Sequence, residues 1–477
     1  MLSDSFNKFR DIVKQLFNES LMIFIVIGFI LISSVLSFWR NPTVGSVEFA
    51  APKLVNDTIC VAWQNQFSSA KSTLFSVNGA LNQASQELKV DVDGRAISLA
   101  EGFFRSFSMA PGASDRVLSD GEDSPLLTNF VFASEAPRNM AGYAADVCRT
   151  PLPTWWFNGI TTTAGFGASL VMVNPDNTDT VVSVEAFSQN GKYQLGENRR
   201  LVIPGESTRT LDLSEIMPGV KSASLQIKSL DGRIVANVQA EVIKGLKTRG
   251  RSYVTPVIDS AKEVVIARIP ITAKLPKLHL LATDDDAVIT VTAHTPSGSF
   301  VVDGLNGVLL TKGKQKIVDL TRAQGGEALA LTVSSDEPVL ATATYFSRNR
   351  GLGDYEVVTG VPAIKEHSTF VVPSGASKVA LILGGKQNAK LKVTVRTAGE
   401  VKWVKEVSVV ANSFVTQVFE NRIVAGNVVT IESEDSVFYA TAIFMKSSSV
   451  GEISAVLPLI DPESQVARGV RLTLAIS

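Results

Sequence analysis

The stretch DGRIVANVQAEV, residues 231–242, decides the fold class. From its fourth residue onward, apolar side chains occur at every second position: Ile234, Ala236, Val238, Ala240 and Val242, separated by Val235, Asn237, Gln239 and Glu241. A period of two is typical of a β-strand with one face in a core. Because this alternation continues after residue 150 with no long helical periodicity, the sequence predicts an all-β fold.

Related stretches recur twice further along the chain. The strand after Asp231-Gly232 has counterparts after Asp336 and after Glu434. A proline closes each unit, at Pro256, Pro362 and Pro458. Earlier in each unit a strand, a turn and a second strand also correspond. The two strands are residues 170–173 and 181–187 in the first unit, 278–281 and 288–293 in the second, and 379–383 and 391–395 in the third.

The units are offset by roughly a hundred residues, the size of an immunoglobulin-like sandwich. We therefore predict tandem immunoglobulin-like β-sandwich modules at residues 151–258, 259–363 and 364–477. Other all-β arrangements of this length, such as jelly rolls, fit the same pattern.

Residues 40–150 show no such repeat and are predicted to form an irregular membrane-proximal module. The segment from Phe67 to Leu88 tolerates a helix but has few apolar positions. Two short apolar stretches, Thr58 to Ala62 and Thr128 to Phe132, are predicted strands.

The N-terminal region contains LMIFIVIGFILISSVLSF, residues 21–38, without a charged residue. A membrane-spanning helix needs about 20 mostly apolar residues, so residues 21–39 are predicted to span a membrane. Three basic residues precede the segment within its flank and one follows, which favours a cytoplasmic N-terminus and an extracytoplasmic bulk. A cleaved signal peptide is the alternative, although its apolar run is usually shorter.

The cytoplasmic segment, residues 1–20, has helical amphipathicity over positions 4–18. This segment is either an extension of the spanning helix or an interfacial helix that docks on a membrane or a partner helix.

Composition excludes one class of partner. Lys and Arg number 45 and Asp and Glu number 46, which gives a formal net charge of −1. Nucleic acid demands a concentrated basic surface, so no nucleic-acid partner is expected.

The sequence contains two cysteines, Cys60 and Cys148, and both follow the predicted anchor. Outside the cytoplasm such a pair is readily oxidised, and two cysteines allow one intramolecular pairing. Two free thiols are the alternative.

Residues 148–256 carry a recognisable order of motifs. Cys148-Arg149-Thr150-Pro151 is followed by Trp155-Trp156-Phe157-Asn158-Gly159, a strand that ends at Asn174-Pro175, and turns at Pro204-Gly205 and Pro218-Gly219. This order resembles an uncharacterised family of actinobacterial membrane-anchored or secreted extracytoplasmic proteins with a Cys-Pro-Trp-Gly block. The resemblance implies a Gram-positive envelope setting and supports a Cys60–Cys148 disulfide. The family pattern has Cys-Pro-Gly near the first cysteine, whereas this chain has Cys60-Val61-Ala62. No functional residue transfers, because the family has no defined activity.

No concentrated polar constellation marks a catalytic, cofactor or metal site. The histidines, His279, His294 and His367, are few and scattered, and neither His279 nor His294 has a cysteine or nearby carboxylate at ligand spacing. Asp284-Asp285-Asp286 suits an acidic turn, with calcium binding as the alternative. Trp155-Trp156-Phe157 either binds a sugar ring or a partner by stacking or packs at a junction between modules.

These observations predict a non-enzymatic, membrane-anchored extracytoplasmic protein, a scaffold or binding stalk that contacts envelope proteins or glycans. The alternative is an accessory subunit of a glycan-synthesis or export assembly, which rests on the anchor and the amphipathic segment. A hydrolase with carboxylates that only folding brings together is a third hypothesis.

Overall fold

The computed structural model describes residues 53–64, 70–79, 87–121, 124–134, 142–245, 247–257, 260–268, 274–295, 298–320, 330–349, 351–420, 423–448 and 451–469, and the single residues Phe9, Lys14 and Ile27. Contacts divide the chain into two compact units, residues 54–468 and residues 1–53 with 469–477. Apart from those single residues, the predicted segment 1–20 and the predicted spanning segment 21–39 lie outside the described residues. Within the described part, no helix is long and apolar enough to cross a membrane.

The larger unit is built from strands that group into four modules, each named by its position along the chain. Module 1 contains β1 (Lys53–Val61), β2 (Lys71–Asn78), β3 (Leu88–Val92), β4 (Arg95–Leu99), β5 (Phe104–Met109), β6 (Ser114–Asp120), the 3-10 helix η1 (Ser124–Leu126), β7 (Leu127–Ser134) and β8 (Ala144–Val147).

Module 2 is the first predicted sandwich. It contains β9 (Thr154–Ile160), β10 (Phe166–Asn174), β11 (Thr180–Ser188), β12 (Gly191–Tyr193), η2 (Gly196–Arg199), β13 (Arg200–Ile203), β14 (Ser207–Asp212), α1 (Leu213–Ile216), β15 (Ala223–Ser229), β16 (Val235–Lys244) and β17 (Lys247–Val254).

Modules 3 and 4 are the second and third predicted sandwiches. Module 3 contains β18 (Ala261–Ala267), β19 (Lys274–Ala282), β20 (Ala287–Thr295), β21 (Gly298–Val301), β22 (Val308–Leu310), β23 (Lys316–Asp319), β24 (Ala330–Asn349) and β25 (Gly351–Thr359). Module 4 contains β26 (His367–Val371), β27 (Lys378–Gly385), β28 (Ala389–Thr397), β29 (Glu400–Val409), β30 (Ser413–Glu420), β31 (Val428–Ser433), β32 (Tyr439–Ser448) and β33 (Gly451–Pro458), and η3 (Pro462–Gln465) and β34 (Val466–Gly469) follow it.

The predicted strands of the three repeats are confirmed. Alternation along them sets which face is buried. In β28 Leu391, Val393 and Val395 point into the core, whereas Lys390, which precedes them, is exposed and Lys392, between the first two, is partly buried. Each of these strands therefore has one apolar face that needs a second sheet to cover it.

All four modules share one strand order. In module 4 the sheets run β26-β31-β28-β29 and β30-β27-β32-β33. In module 1 the same positions give β1-β6-β3-β4 and β5-β2-β7-β8, and in module 2 they give β9-β15-β11-β12 and β14-β10-β16-β17, with β13 beside β11. In module 3 the long strand β24 occupies two positions and joins both sheets into one eight-stranded sheet.

The prediction of an irregular region at residues 40–150 is therefore wrong, because module 1 is a fourth copy of the repeat. Its core lies between its two sheets and includes Cys60, Leu74, Val117 and Val131. The predicted strands at 58–62 and 128–132 fall within β1 and β7, and the segment that tolerated a helix contains β2. Polar residues buried in these strands, such as Asn56 and Ser76, mask the alternation in the sequence.

Turns between the third and fourth strands support the equivalence of modules 1 and 4. Asp93-Gly94 has φ of 50° and 77°, and Ala398-Gly399 has φ of 49° and 79°. Two consecutive residues with positive φ form the two-residue hairpin turn that matches the twist of a β-ribbon, and glycine takes its second position at least steric cost.

Module 3 differs from its neighbours at the predicted turn Asp336-Glu337-Pro338. Here β24 continues through the proline, whereas the corresponding residues in modules 2 and 4 separate two strands. β18 pairs with β24 on both sides of this point, with Glu263 opposite Ser334 and Ala261 opposite Val339. Because β18 pairs with β24 before and after Asp336-Glu337-Pro338, it holds the chain extended through these residues.

Apolar contacts connect the four modules in a closed ring within residues 54–468. Modules 2 and 3 meet where Phe166 packs edge-on against Tyr355 at 5.5 Å, and modules 3 and 4 share a cluster that contains Val265 and Ile382. Module 1 packs on module 2 through Ile59. Module 4 then closes the ring on module 1 through aromatic and aliphatic side chains: Phe75, Phe130, Phe132, Phe370, Leu381, Phe444 and Leu457.

Polar contacts close the ring at the same boundary. The Tyr143 hydroxyl donates to the Gly375 carbonyl oxygen over 3.0 Å. The Thr150 hydroxyl donates to the carbonyl oxygen of Gln465 over 2.9 Å. β34, which follows module 4, lies next to β1 at the edge of the first sheet of module 1. The last strand among the described residues thus extends the sheet that contains β1.

Candidate functional site at the axis of the ring

The last strands of the four modules meet at the centre of the ring. β8 contacts β17, β17 contacts β25, β25 contacts β33, and β33 returns to β8. One equivalent strand from each module therefore surrounds a common axis. Several polar side chains on these strands, among them Asp146, Arg251 and Asp354, are buried, and a buried polar group needs a hydrogen-bond partner.

Asp354, on β25, is the central polar group. Its Oδ1 accepts backbone N–H bonds from Arg251 at 3.2 Å and from Tyr355 at 2.9 Å. Its Oδ2 accepts backbone N–H bonds from Tyr143 at 3.0 Å and from Ser454 at 3.2 Å. These four donors belong to four different modules, so one carboxylate connects all of them.

The close approach to Asp354 requires a glycine at position 142. Gly142 has φ of 106°, and a Cβ atom at this position would overlap the Asp354 carboxylate. The backbone of module 1 can reach the axis only because position 142 has no side chain.

Glu356 lies beside Asp354 and accepts a bond of 2.5 Å from the Ser454 hydroxyl. Burial raises the pKa of Asp354 to about 7, and burial together with the neighbouring carboxylate raises the pKa of Glu356 well above its ordinary value. Burial and mutual repulsion both favour the protonated state of such a pair. Backbone N–H donors favour an ionised acceptor, so the four donors at Asp354 favour its carboxylate form.

A cavity of about 510 Å³ lies where the chain leaves the axial strands. The segments that follow β8, β17, β25 and β33 each contribute to its wall, together with part of β18 and Tyr439. All three prolines that close the predicted repeats line it: Pro256, Pro362 and Pro458. This volume is in the range of small-molecule sites, which often lie where domains meet.

Arg149 is a charged residue in the wall of this cavity and is 6% exposed. Its Nη2 donates to Asp146 Oδ1 over 3.1 Å. Burial raises the pKa of Asp146 above its ordinary value, although Arg149 opposes the shift. The wall of the cavity is therefore mostly apolar, and a buried guanidinium is one of its charged groups.

The predicted disulfide is confirmed. Cys60, on β1, and Cys148, just after β8, are bonded, with Cα atoms 4.5 Å apart and a sequence separation of 88 residues. Both sulfur atoms lie in the core of module 1. The bond connects the two sheets of that module beside the axis.

The aromatic segment after the disulfide divides between core and surface. Trp155 and Phe157 are fully buried in the core of module 2, and Trp155 Nε1 donates to the Ile234 carbonyl oxygen over 2.9 Å. Trp156 points to the other face of β9, where it is half-buried beside Phe187 with ring centroids 5.8 Å apart. Of the three rings, only Trp156 has surface with which to contact a ligand.

The histidines lie in separate places. His279 is buried between modules 2 and 3, where Nδ1 contacts Ser222 Oγ at 2.7 Å and Nε2 contacts Thr344 Oγ1 at 2.9 Å. Burial lowers its pKa to about 3. His294 faces module 4, where its Nδ1 lies 3.0 Å from the Asn412 carbonyl oxygen. Both lie in interfaces between modules, and burial lowers the pKa of His294 as well.

Asp284-Asp285-Asp286 forms the turn between β19 and β20, and Asp286 Oδ1 accepts the Lys312 backbone N–H over 2.8 Å. Among the described residues, no group of three or more His, Cys, Asp or Glu side chains is arranged to hold a metal ion.

Sequence reasoning missed Asp354, Glu356 and the cavity. The one local signal was the pair Gly351 and Gly353 just before Asp354, which suits a tight backbone approach. Arg149 was noted within the motif after Cys148, but without a role.

Residues 111–418, more than half of the chain, match a family described as a family of unknown function, DUF5719. This repeat protein with a closed ring of β-modules therefore belongs to that family. The match begins in the turn before β6 of module 1 and ends within β30 of module 4, so it covers most of the ring. No curated protein shows significant sequence similarity to the chain.

Proposed function

We propose that this protein is a non-enzymatic scaffold, anchored in a membrane by residues 21–38 and exposed outside the cytoplasm, that binds protein or glycan partners of a cell envelope. The observation that carries the proposal is the closed ring. Four modules are fixed against one another, and the axial polar side chains bond to other parts of the ring. Such a structure suits a rigid binding platform.

The disulfide supports the extracytoplasmic side. Disulfides persist in oxidising compartments and are rare in the cytosol. The Cys60–Cys148 bond lies in the module that follows the predicted anchor in the sequence. A cytoplasmic N-terminus before the anchor and an exported ring after it fit both this bond and the excess of basic residues before residue 21.

The finer architecture belongs to the same proposal. We assign the modules to the immunoglobulin-like class, because the second strand pairs with the fifth and the third pairs with the sixth, as in that fold. An actinobacterial envelope rests on the motif order around Cys148 and Trp155.

The ring favours a platform over an extended stalk. In a stalk the first and last modules would be far apart, whereas here Phe132 of module 1 packs on Phe444 of module 4 with centroids 6.0 Å apart. Partners would then reach the outer edges of the sheets and the turns between strands. Trp156 is the aromatic side chain that we assign to such a contact.

The test is crosslinking in intact cells, followed by mass spectrometry of proteins and glycans that co-purify in mild detergent. Crosslinks from the four modules to surface proteins or wall glycan are expected. Trp156→Ala should reduce them, and Trp403→Ala, which removes another partly buried tryptophan on module 4, is the matched control. A hydrolytic or transferase activity that depends on this chain alone would contradict the proposal.

An accessory subunit of a glycan-synthesis or export assembly is the second candidate, favoured by the amphipathic pattern of residues 4–18. Pull-downs with and without residues 1–20 distinguish the two. A scaffold that acts through its ring keeps its partners after the deletion, whereas an accessory subunit that docks through this segment loses its membrane partner.

A further inference from the structure

The axial cavity has the size and lining of a small-molecule site. Its wall comes from all four modules, and most of the wall is apolar, through prolines and the aliphatic side chains of Val257, Val264, Val265 and Val361. Its volume of about 510 Å³ lies within the range of ligand pockets in proteins. The apolar wall favours an aliphatic ligand.

The charged groups of the wall indicate which functional group the ligand would carry. Arg149 is more than nine-tenths buried, and among the described residues none accepts a hydrogen bond from its Nε. Glu263, the acidic residue in the wall, is paired with Lys386 at 2.6 Å. A buried guanidinium with an unused donor requires an acceptor, and a carboxylate matches its geometry.

We propose that this cavity binds an aliphatic carboxylate, with the carboxylate on Arg149 and the chain against the prolines and valines of the wall. The ligand would contact segments from all four modules at once and would stabilise the closed ring, because it binds the folded state alone. The proposal is independent of the scaffold function, since it concerns a small molecule at the axis and not a partner at the periphery.

The test uses decanoic acid that carries a photoreactive diazirine on its chain and the full chain held in an amphipol. After irradiation, mass spectrometry of peptides locates the label. We expect label on peptides that contain residues 255–257 or 360–363. Unlabelled decanoate should compete at least about tenfold better than decan-1-ol, since a bond to a charged group contributes about 1.5–3 kcal/mol.

Two kinds of variant test the site. Ala363→Trp fills the mouth of the cavity from an exposed lining position and should reduce labelling at least about tenfold, whereas Ala110→Trp, at an exposed position outside it, should not. The double variant Asp146→Asn with Arg149→Met removes both charges together and should abolish the preference for decanoate over decan-1-ol. Arg149→Lys, which keeps the charge, should retain part of that preference.

Label outside the cavity alone, equal competition by decan-1-ol in the wild type, or wild-type labelling of Ala363→Trp would each overturn the proposal. Because Ala363→Trp leaves the pair of Arg149 and Asp146 intact, its result holds even if the double variant fails to fold.

Discussion

Asp354→Asn is the substitution that most directly disturbs the centre of the ring. The change keeps the shape of the side chain but leaves one acceptor oxygen, because the other becomes an amide that donates. Each carboxylate oxygen accepts two backbone N–H bonds, so either orientation of the amide leaves two buried donors without an acceptor.

The magnitude follows from these bonds. Two bonds to a charged acceptor contribute about 3–6 kcal/mol. Removal of a buried charge returns part of that, because the carboxylate no longer has to be kept away from water. We expect a net loss of about 2–4 kcal/mol in the free energy of unfolding.

The assay is urea unfolding of the full chain in mild detergent, with tryptophan fluorescence as the measure of the folded fraction. Asp303→Asn is the matched control, since Asp303 is exposed in module 3 and a surface change of this kind alters stability by less than about 0.5 kcal/mol. Gly142→Ala should destabilise as well, because it pushes the module 1 backbone away from the same carboxylate. If the Asp354→Asn curve superimposes on that of the wild type, Asp354 does not hold the modules together.

Three further predictions concern other parts of the ring. Reduction of the disulfide should add two hydrogens to the intact mass and destabilise the fold by up to about 4–5 kcal/mol, and an unchanged mass would show free thiols. Because burial lowers the pKa of His279 from its ordinary value of 6.5 to about 3, the unfolded chain binds the proton first and stability falls as the pH drops below 6.5. Between pH 6.5 and about 5 this side chain should cost about 1.5–2 kcal/mol, so His279→Gln should show a shallower pH dependence, and an identical slope would refute this. Trp155→Ala should cost about 3–5 kcal/mol and Trp156→Ala much less, and equal losses in thermal or urea unfolding would contradict their placement.

The sequence predicted the all-β class, the strands of modules 2–4 and the disulfide because these rest on local patterns. Alternation along β11 or β28 and the turn residues between strands are short-range signals. Two cysteines allow one intramolecular pairing. The strands at residues 166–174 and 235–244 could be predicted without knowledge of the rest of the chain.

Module 1 was not recognised from the sequence, because the alternation of apolar and polar residues is weaker there. Its strands bury polar side chains such as Asn56, Thr58 and Asn129, which bond to other buried groups. The described strands β7 and β8 are also further apart in the sequence than β32 and β33 of module 4, so the spacing of the repeat is lost. Strand order revealed the repeat where residue types did not.

The axial site could not be predicted, because its members are far apart in the sequence. Tyr143, Arg251, Asp354 and Ser454 are each about a hundred residues from the next, and closure of the ring brings them together. The donors at this site are backbone N–H groups, which any residue other than proline supplies. No residue type therefore marks it.

The most direct test of the central claim, that one carboxylate joins four modules into a ring, is hydrogen–deuterium exchange of the wild type and Asp354→Asn. The structure predicts slow exchange for peptides that contain the backbone amides of Tyr143, Arg251, Tyr355 and Ser454, and faster exchange in all four when Asp354 is replaced. If only the peptide that contains Tyr355 changes, the carboxylate serves its own module alone and the ring does not close on it.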